Sequence, residues 1–250
     1  MQMAALALFL SMLSMPCLAD TKKPCGPPLR IAVIDTGFGY NDKGHDAKLC
    51  PFGHEDFSVE GQFSKTYSTS VPVPVDTNNH GTNIVGIIDG YAKSAGVNYC
   101  IVVIKYYSDS QPGYVNLMAS VEAIRHALAI GVDIINYSGG GEVPVLAESL
   151  LIGMFIDKGG KFVAAAGNEG MNLDRPENGF YPAMEDNRVI VVGNKDKNGL
   201  RSRSSNYGRV VSRWEVGVGV TAYDITLSGT SQATAVATGK IVAGSENKCR

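Results

Sequence analysis

Little in this sequence points to a charged partner. Its 22 Lys and Arg stand against 24 Asp and Glu, interspersed along the chain, for a net charge of −2. That balance singles out neither nucleic acid nor an anionic membrane surface. No internal repeat or low-complexity block divides the chain, and the apolar run Ala4 to Leu13 is short for a membrane span. Gly-x-Ser-x-Gly is absent, which removes the exposed serine elbow of the α/β-hydrolase esterases. Metal motifs are missing too. His45, Asp46, His54, Glu55 and Asp56 cluster in a stretch rich in Gly, Ser and Pro, but their spacing matches no compact ligand set, so they read as a solvated loop.

What is present suits one globular unit, because 250 residues that are 44% hydrophobic can bury a single sizeable core. Residues 1–19 carry no charge, and their apolar run leads to Cys17-Leu18-Ala19 and then Asp20-Thr21-Lys22-Lys23. This is the layout of a secretory signal peptide cleaved after Ala19, with a retained membrane anchor as the other reading, although the usual early Lys or Arg is missing. Residues 20–28 then form a short N-terminal segment and 29–250 the folded domain. Removal of the leader leaves Cys25, Cys50, Cys100 and Cys249, an even set that reads as two disulfides in an exported chain. Three pairings are open.

Strand-like and helix-like stretches alternate. Leu29 to Asp35, Cys100 to Ile104, Val132 to Asn136 and Phe162 to Ala165 are short, mainly apolar stretches, as in strands buried on both faces. Val115 to Ile130 and Leu146 to Lys158 lie between them as helices, with His126 on the solvent side of the first. The alternation predicts an α/β fold with a mainly parallel sheet. A last strand pair is expected around Val189 to Val192 and Val218 to Ala222, with Lys195 to Arg213 between them as polar surface loop.

Chemistry collects at strand ends and helix starts. Asp35 closes the first strand, at the sheet edge where ligands bind in such folds. His80 opens a buried helix after a polar turn; the helix dipole disfavours its cation, keeping it a neutral base unless a carboxylate balances it. Asn168 follows the strand Phe162 to Ala165. Ser231 begins the Ala-rich helix within Leu227 to Gly244, against unpaired N–H groups that stabilise developing negative charge. A serine nucleophile needs a base, the base a carboxylate, and the oxyanion a donor. Each role has one placed candidate.

Val33-Ile34-Asp35-Thr36-Gly37, His80-Gly81-Thr82, Ala165-Ala166-Gly167-Asn168 and Gly229-Thr230-Ser231 together resemble the motifs of subtilisin-like serine peptidases, and Ile134 to Gly140 is similar to that family's substrate-cleft segment. The resemblance covers most of Leu29 to Gly244. It implies a three-layer αβα fold and a secreted or periplasmic endopeptidase, with Ser231 as nucleophile, His80 as general base and then acid, and Asp35 orienting the imidazole. Asn168 and the Ser231 N–H would hold the oxyanion, and Ser138, Gly139 and Gly140 would pair with the substrate as an added strand. Glu169 would draw a basic side chain into the first specificity pocket, narrowed by Phe180 and Tyr181. The partner would be a protein or peptide, met by a monomer that uses no cofactor, nucleic acid or stable membrane contact. Structural calcium, frequent in the family, finds no compact oxygen-ligand loop here.

The sequence also departs from the family pattern. Gln232 stands where Met is usual, Ala235 where Pro is usual, and Asn83 where a second His is usual. Only Asp20 to Pro28 separates the expected cleavage site from the first strand, too little for the folding propeptide common in secreted members. These departures leave room for a second expectation, a catalytically silent module that binds peptides or partner proteins. The resemblance would also set the strands after Cys50 and Cys100 side by side, favouring Cys50 with Cys100 and Cys25 with Cys249.

Overall fold

The computed structural model describes residues 26–39, 44–59 and 72–247. The expected leader, Cys25 and Cys249 lie outside the described residues. Seven strands form one parallel sheet in the order β2-β3-β1-β4-β5-β6-β7. They are β1 (Leu29–Asp35), β2 (Glu55–Asp56), β3 (Tyr99–Lys105), β4 (Ile134–Tyr137), β5 (Lys161–Ala165), β6 (Ile190–Lys195) and β7 (Arg213–Val216). Helices α1 (His80–Ser94) and α4 (Thr230–Ala243) pack together on one face, and α2 (Gly113–Ile130) and α3 (Leu146–Asp157) on the other. The architecture is the three-layer αβα sandwich that the sequence implied.

The strands that read as mainly apolar stretches do so because both sheet faces are covered. In β1, Ile31 and Val33 enter the core beneath α1 and α4, while Ala32 and Ile34 enter the core beneath α2 and α3. All four are fully buried. A fully buried Val or Ile side chain contributes on the order of 1.5–3 kcal/mol, so β1 is a principal anchor of both layers. It is also where the winding reverses: from β1 the chain builds β2 and β3 on one side, then crosses back to lay β4 to β7 on the other. Such reversals open a crevice at the carboxyl ends of the strands.

Several expectations need correction. β7 joins the sheet through Arg213–Val216, whereas Val220–Ala222 belongs to a separate antiparallel pair, β8 (Val220–Ala222) with β9 (Ile225–Leu227). The loop before β7 is not wholly on the surface, since Ser205 and Asn206 are fully buried within it. His126 is buried rather than solvent-facing, because the chain at Gly53 folds over α2 and its carbonyl bonds the imidazole Nε2 at 2.8 Å. His45, His54 and Glu55 are likewise buried rather than solvated. His54 bridges the Cys50 carbonyl (2.8 Å) and the Val103 N–H (3.0 Å), and burial holds its pKa below the ordinary value despite these bonds. Cys50 and Cys100 form a disulfide. The other expected bridge lies outside the described residues, although Asn247, two positions before Cys249, donates to the carbonyl of Pro27, two positions after Cys25, at 2.8 Å.

Candidate active site

Asp35 ends β1 at the crevice and is 3% exposed. Its Oδ1 accepts the Thr36 N–H and the His80 Nδ1–H, each at 2.7 Å, whereas its buried Oδ2 has no hydrogen-bond partner among the described residues. Two glycines allow β1 and α1 to meet this closely. A Cβ on Gly81 would lie 2.3 Å from the Gly37 carbonyl oxygen, and Gly37 itself adopts a φ of +113° against the backbone of Pro74 and Val75.

His80 is the first residue of α1, whose N-cap Asn79 makes no side-chain cap. Asp76, unremarked in the sequence, does that work. Its Oδ1 accepts the N–H groups of Asn78 (2.9 Å) and Asn79 (3.0 Å) and the Thr36 hydroxyl (2.9 Å). Its Oδ2 accepts the N–H (2.8 Å) and hydroxyl (2.6 Å) of Thr82. Thr36 Oγ1 in turn accepts the Gly81 N–H at 2.9 Å, so Asp76 ties the end of β1 to the start of α1. Burial alone would raise the Asp76 pKa, but these bonds outweigh it and keep the carboxylate charged. For His80, burial would lower the pKa; the charge of Asp35, the bond to it and the charge of Asp76 reverse that, leaving it raised above 6.5. The carboxylates therefore balance the helix dipole.

Ser231 lies in the first turn of α4 and is 8% exposed. Its hydroxyl donates to the Ser138 carbonyl at 2.9 Å, and the Ser138 hydroxyl returns a bond to the Ser231 carbonyl at 3.2 Å. Among the described residues, then, Asp35 and His80 are hydrogen-bonded to each other and Ser231 to Ser138, but Ser231 is not bonded to His80. Asn168 stands on the turn after β5 and caps α4 from outside: its Oδ1 accepts the Thr230 N–H (2.9 Å) and hydroxyl (3.2 Å). Because a backbone N–H can only donate, this fixes the amide orientation and leaves Nδ2 bonded to no described residue. The turn is braced by Asn206, whose Nδ2 donates to the Ala166 carbonyl (2.9 Å) and to Glu169 Oε2 (2.6 Å). The exposed Glu169 is thus tied to a neutral amide that leaves its charge uncancelled.

β4 continues as Ser138-Gly139-Gly140. A Cβ on Gly139 would strike the Tyr106 hydroxyl at 2.0 Å, and one on Gly140 would strike the Phe180 ring at 2.5 Å. Gly141 pairs with Tyr181 through bonds of 2.9 and 2.7 Å, but the backbone groups of Gly139 and Gly140 bond no described residue. This free edge borders a cavity of about 290 Å³ between His80, Tyr106, Tyr107, Asp109 and Gly140. No three His, Cys, Asp or Glu side chains among the described residues converge as a metal-ligand set.

Two departures from the family pattern prove to be partners. Gln232 Nε2 donates to Asn83 Oδ1 at 3.2 Å, and Asn83 Nδ2 donates to the Ile225 carbonyl at 2.9 Å, so one bond links two buried amides of α4 and α1 and a second ties Asn83 to β9. Neither position alone announced this pairing.

The model of the subtilase family, Peptidase_S8, matches residues 26–243. Subtilisin DY of Bacillus licheniformis is 31% identical over 222 residues, covering 83% of this chain and 73% of that protein. Minor extracellular protease Epr of Bacillus subtilis (strain 168) is 31% identical over 220 residues, or 84% of this chain but 30% of Epr. Among solved structures, a cold adapted subtilisin-like serine proteinase is similar with a TM-score of 0.63 and 26% identity, covering 85% of this chain and 73% of that one. A lanthipeptide protease shares the fold with a TM-score of 0.68 at 19% identity, covering 86% and 72%.

Proposed function

Because this chain belongs to the subtilase family, we propose that it is a secreted serine endopeptidase in which Ser231, His80 and Asp35 form the catalytic triad and Asn168 the oxyanion donor. The observation that carries this reading is the Asp35–His80 bond of 2.7 Å at the head of one helix, on a cavity shared with Ser138, whose carbonyl accepts the Ser231 hydroxyl at the head of the helix that Asn168 caps. A peptide laid against Gly139 and Gly140 as an added strand presents its carbonyl to Ser231. The Ser231 hydroxyl swings from Ser138 to His80, which takes its proton as Oγ attacks; Asp35 holds the imidazole tautomer and stabilises the cation. The oxyanion receives the Asn168 Nδ2–H and the Ser231 N–H. His80 then protonates the leaving amine, and water releases the acyl group by the reverse sequence.

Glu169 is the candidate for a basic preference next to the scissile bond, with Phe180 and Tyr181 framing the turn. Secretion is supported by the leader-like residues 1–19, the Cys50–Cys100 disulfide and the word extracellular in the name of Epr. No helix among the described residues is long and apolar enough to cross a membrane. The proposed enzyme is a monomer and needs no cofactor for its chemistry.

One observation favours the catalytically silent alternative, namely that the Ser231 proton rests on Ser138 rather than on His80. A fluorophosphonate probe separates the two. The folded wild type should label covalently and Ser231→Ala should not; a folded wild type that fails to label would remove the enzyme reading.

A further inference from the structure

Beside the cleft lies a second, larger cavity of about 550 Å³, which shares Tyr106, Tyr107 and Gly140 with the first. Its wall carries Glu148, in the first turn of α3 and 2% exposed. Oε1 of Glu148 accepts the Ser120 hydroxyl, which also bonds the Tyr137 hydroxyl at 2.8 Å. Oε2 is bonded to no described residue, nor is it among the sealed polar atoms that lack a partner, so it opens to the cavity. Glu142 also lines the cavity, and no Lys or Arg does. A carboxylate this deep is costly to ionise unless a cation reaches it.

We infer that this cavity receives the basic side chain of a Lys or Arg in a peptide substrate, at a position other than the one before the scissile bond, with Glu148 as its counter-charge. The inference rests on the reading of Gly139-Gly140 as a peptide-binding edge. The stem of such a side chain would run along Leu117 and the rings of Tyr107 and Tyr114, which suit both its methylenes and its cationic head. A purely apolar side chain would fill the same space but leave Oε2 without a partner.

Titration supplies an independent handle. Desolvation raises the Glu148 pKa to about 7; the bond from Ser120 opposes this and the charge of Glu185 adds to it. The other ionisable groups of the wall are Glu142 and the tyrosines 106, 107, 114, 137 and 181, and no His or Lys faces it. Ionised Glu148 binds the cation, so preference for a basic residue should grow as pH rises through 7.

The test uses the Ser231→Ala chain, which leaves peptides intact, and calorimetric titration with blocked hexapeptides carrying Lys or norleucine at each position in turn. The expected result is one position at which Lys binds about tenfold or more tightly than norleucine at pH 8, where Glu148 is ionised. The ratio should shrink at pH 6 and vanish in Glu148→Gln, which keeps the bond to Ser120. Equal binding at every position, no peptide binding at all, or a Lys preference that survives in folded Glu148→Gln would overturn the inference. Should that variant fail to fold, the pH series decides, and a ratio independent of pH overturns it. No turnover is needed, so a chain that fails to label with fluorophosphonate can still pass or fail here.

Discussion

The heads of α1 and α4 meet at the same sheet edge, yet they are built from opposite materials. At α1 the exposed N–H groups are capped by a carboxylate, Asp76, and the first residue, His80, is bonded to a second, Asp35. At α4 the cap is a neutral amide, Asn168, and the hydroxyl of the residue next in line, Ser231, donates to a carbonyl. Under the proposed mechanism, the difference follows the charge each head would carry. A cation forming on His80 opposes the positive end of its helix and needs anions around it. An anion forming beside Ser231 is favoured by its helix, and a carboxylate there would repel it. One helix terminus thus serves two opposite ends through the choice of cap.

The largest effect is expected at the neutral cap. Asn168→Ala removes the free Nδ2 donor and should lower kcat by about 10²–10³-fold with little change in KM, since the bond is made mainly in the transition state. Steady-state kinetics on a peptide substrate check this, and unchanged turnover would take Asn168 out of the site.

A smaller effect is expected where the two heads are joined, through Gln232 and Asn83. Each single Ala substitution leaves a buried amide partly unsatisfied. A double-mutant cycle in denaturant unfolding should therefore show a coupling of about 0.5–3 kcal/mol. Simple additivity would mean that the two departures are unrelated.

Much of this arrangement was legible because it rests on backbone position. Asp35, His80, Asn168 and Ser231 fall at element boundaries, and burial on both faces makes β1, β3, β4 and β5 mainly apolar stretches. What escaped depends on neighbours distant in sequence. β2 has two residues, and Arg213–Val216 carries an Arg and a Glu, so neither shows an apolar run. Asp76 lies in a polar turn, and its five bonds exist only because the fold brings Thr36 and the start of α1 around it. His126 is a polar position on a helix whose periodicity suggests solvent, and Glu148 is an acidic residue in the first turn of the mostly apolar α3; the fold of the chain over α2 and the packing of α2 against α3 bury them.

Whether carboxylates at the head of α1 hold His80 ready to carry charge is read most directly from the pH dependence of the rate of fluorophosphonate labelling. The proposed mechanism requires neutral His80, so the rate should rise through its pKa, with a midpoint above 6.5. Removing the Asp76 charge in Asp76→Asn should move that midpoint to lower pH, because one of the influences that raise the pKa is gone. A wild-type midpoint below 6.5, or one that Asp76→Asn leaves in place, would contradict the account.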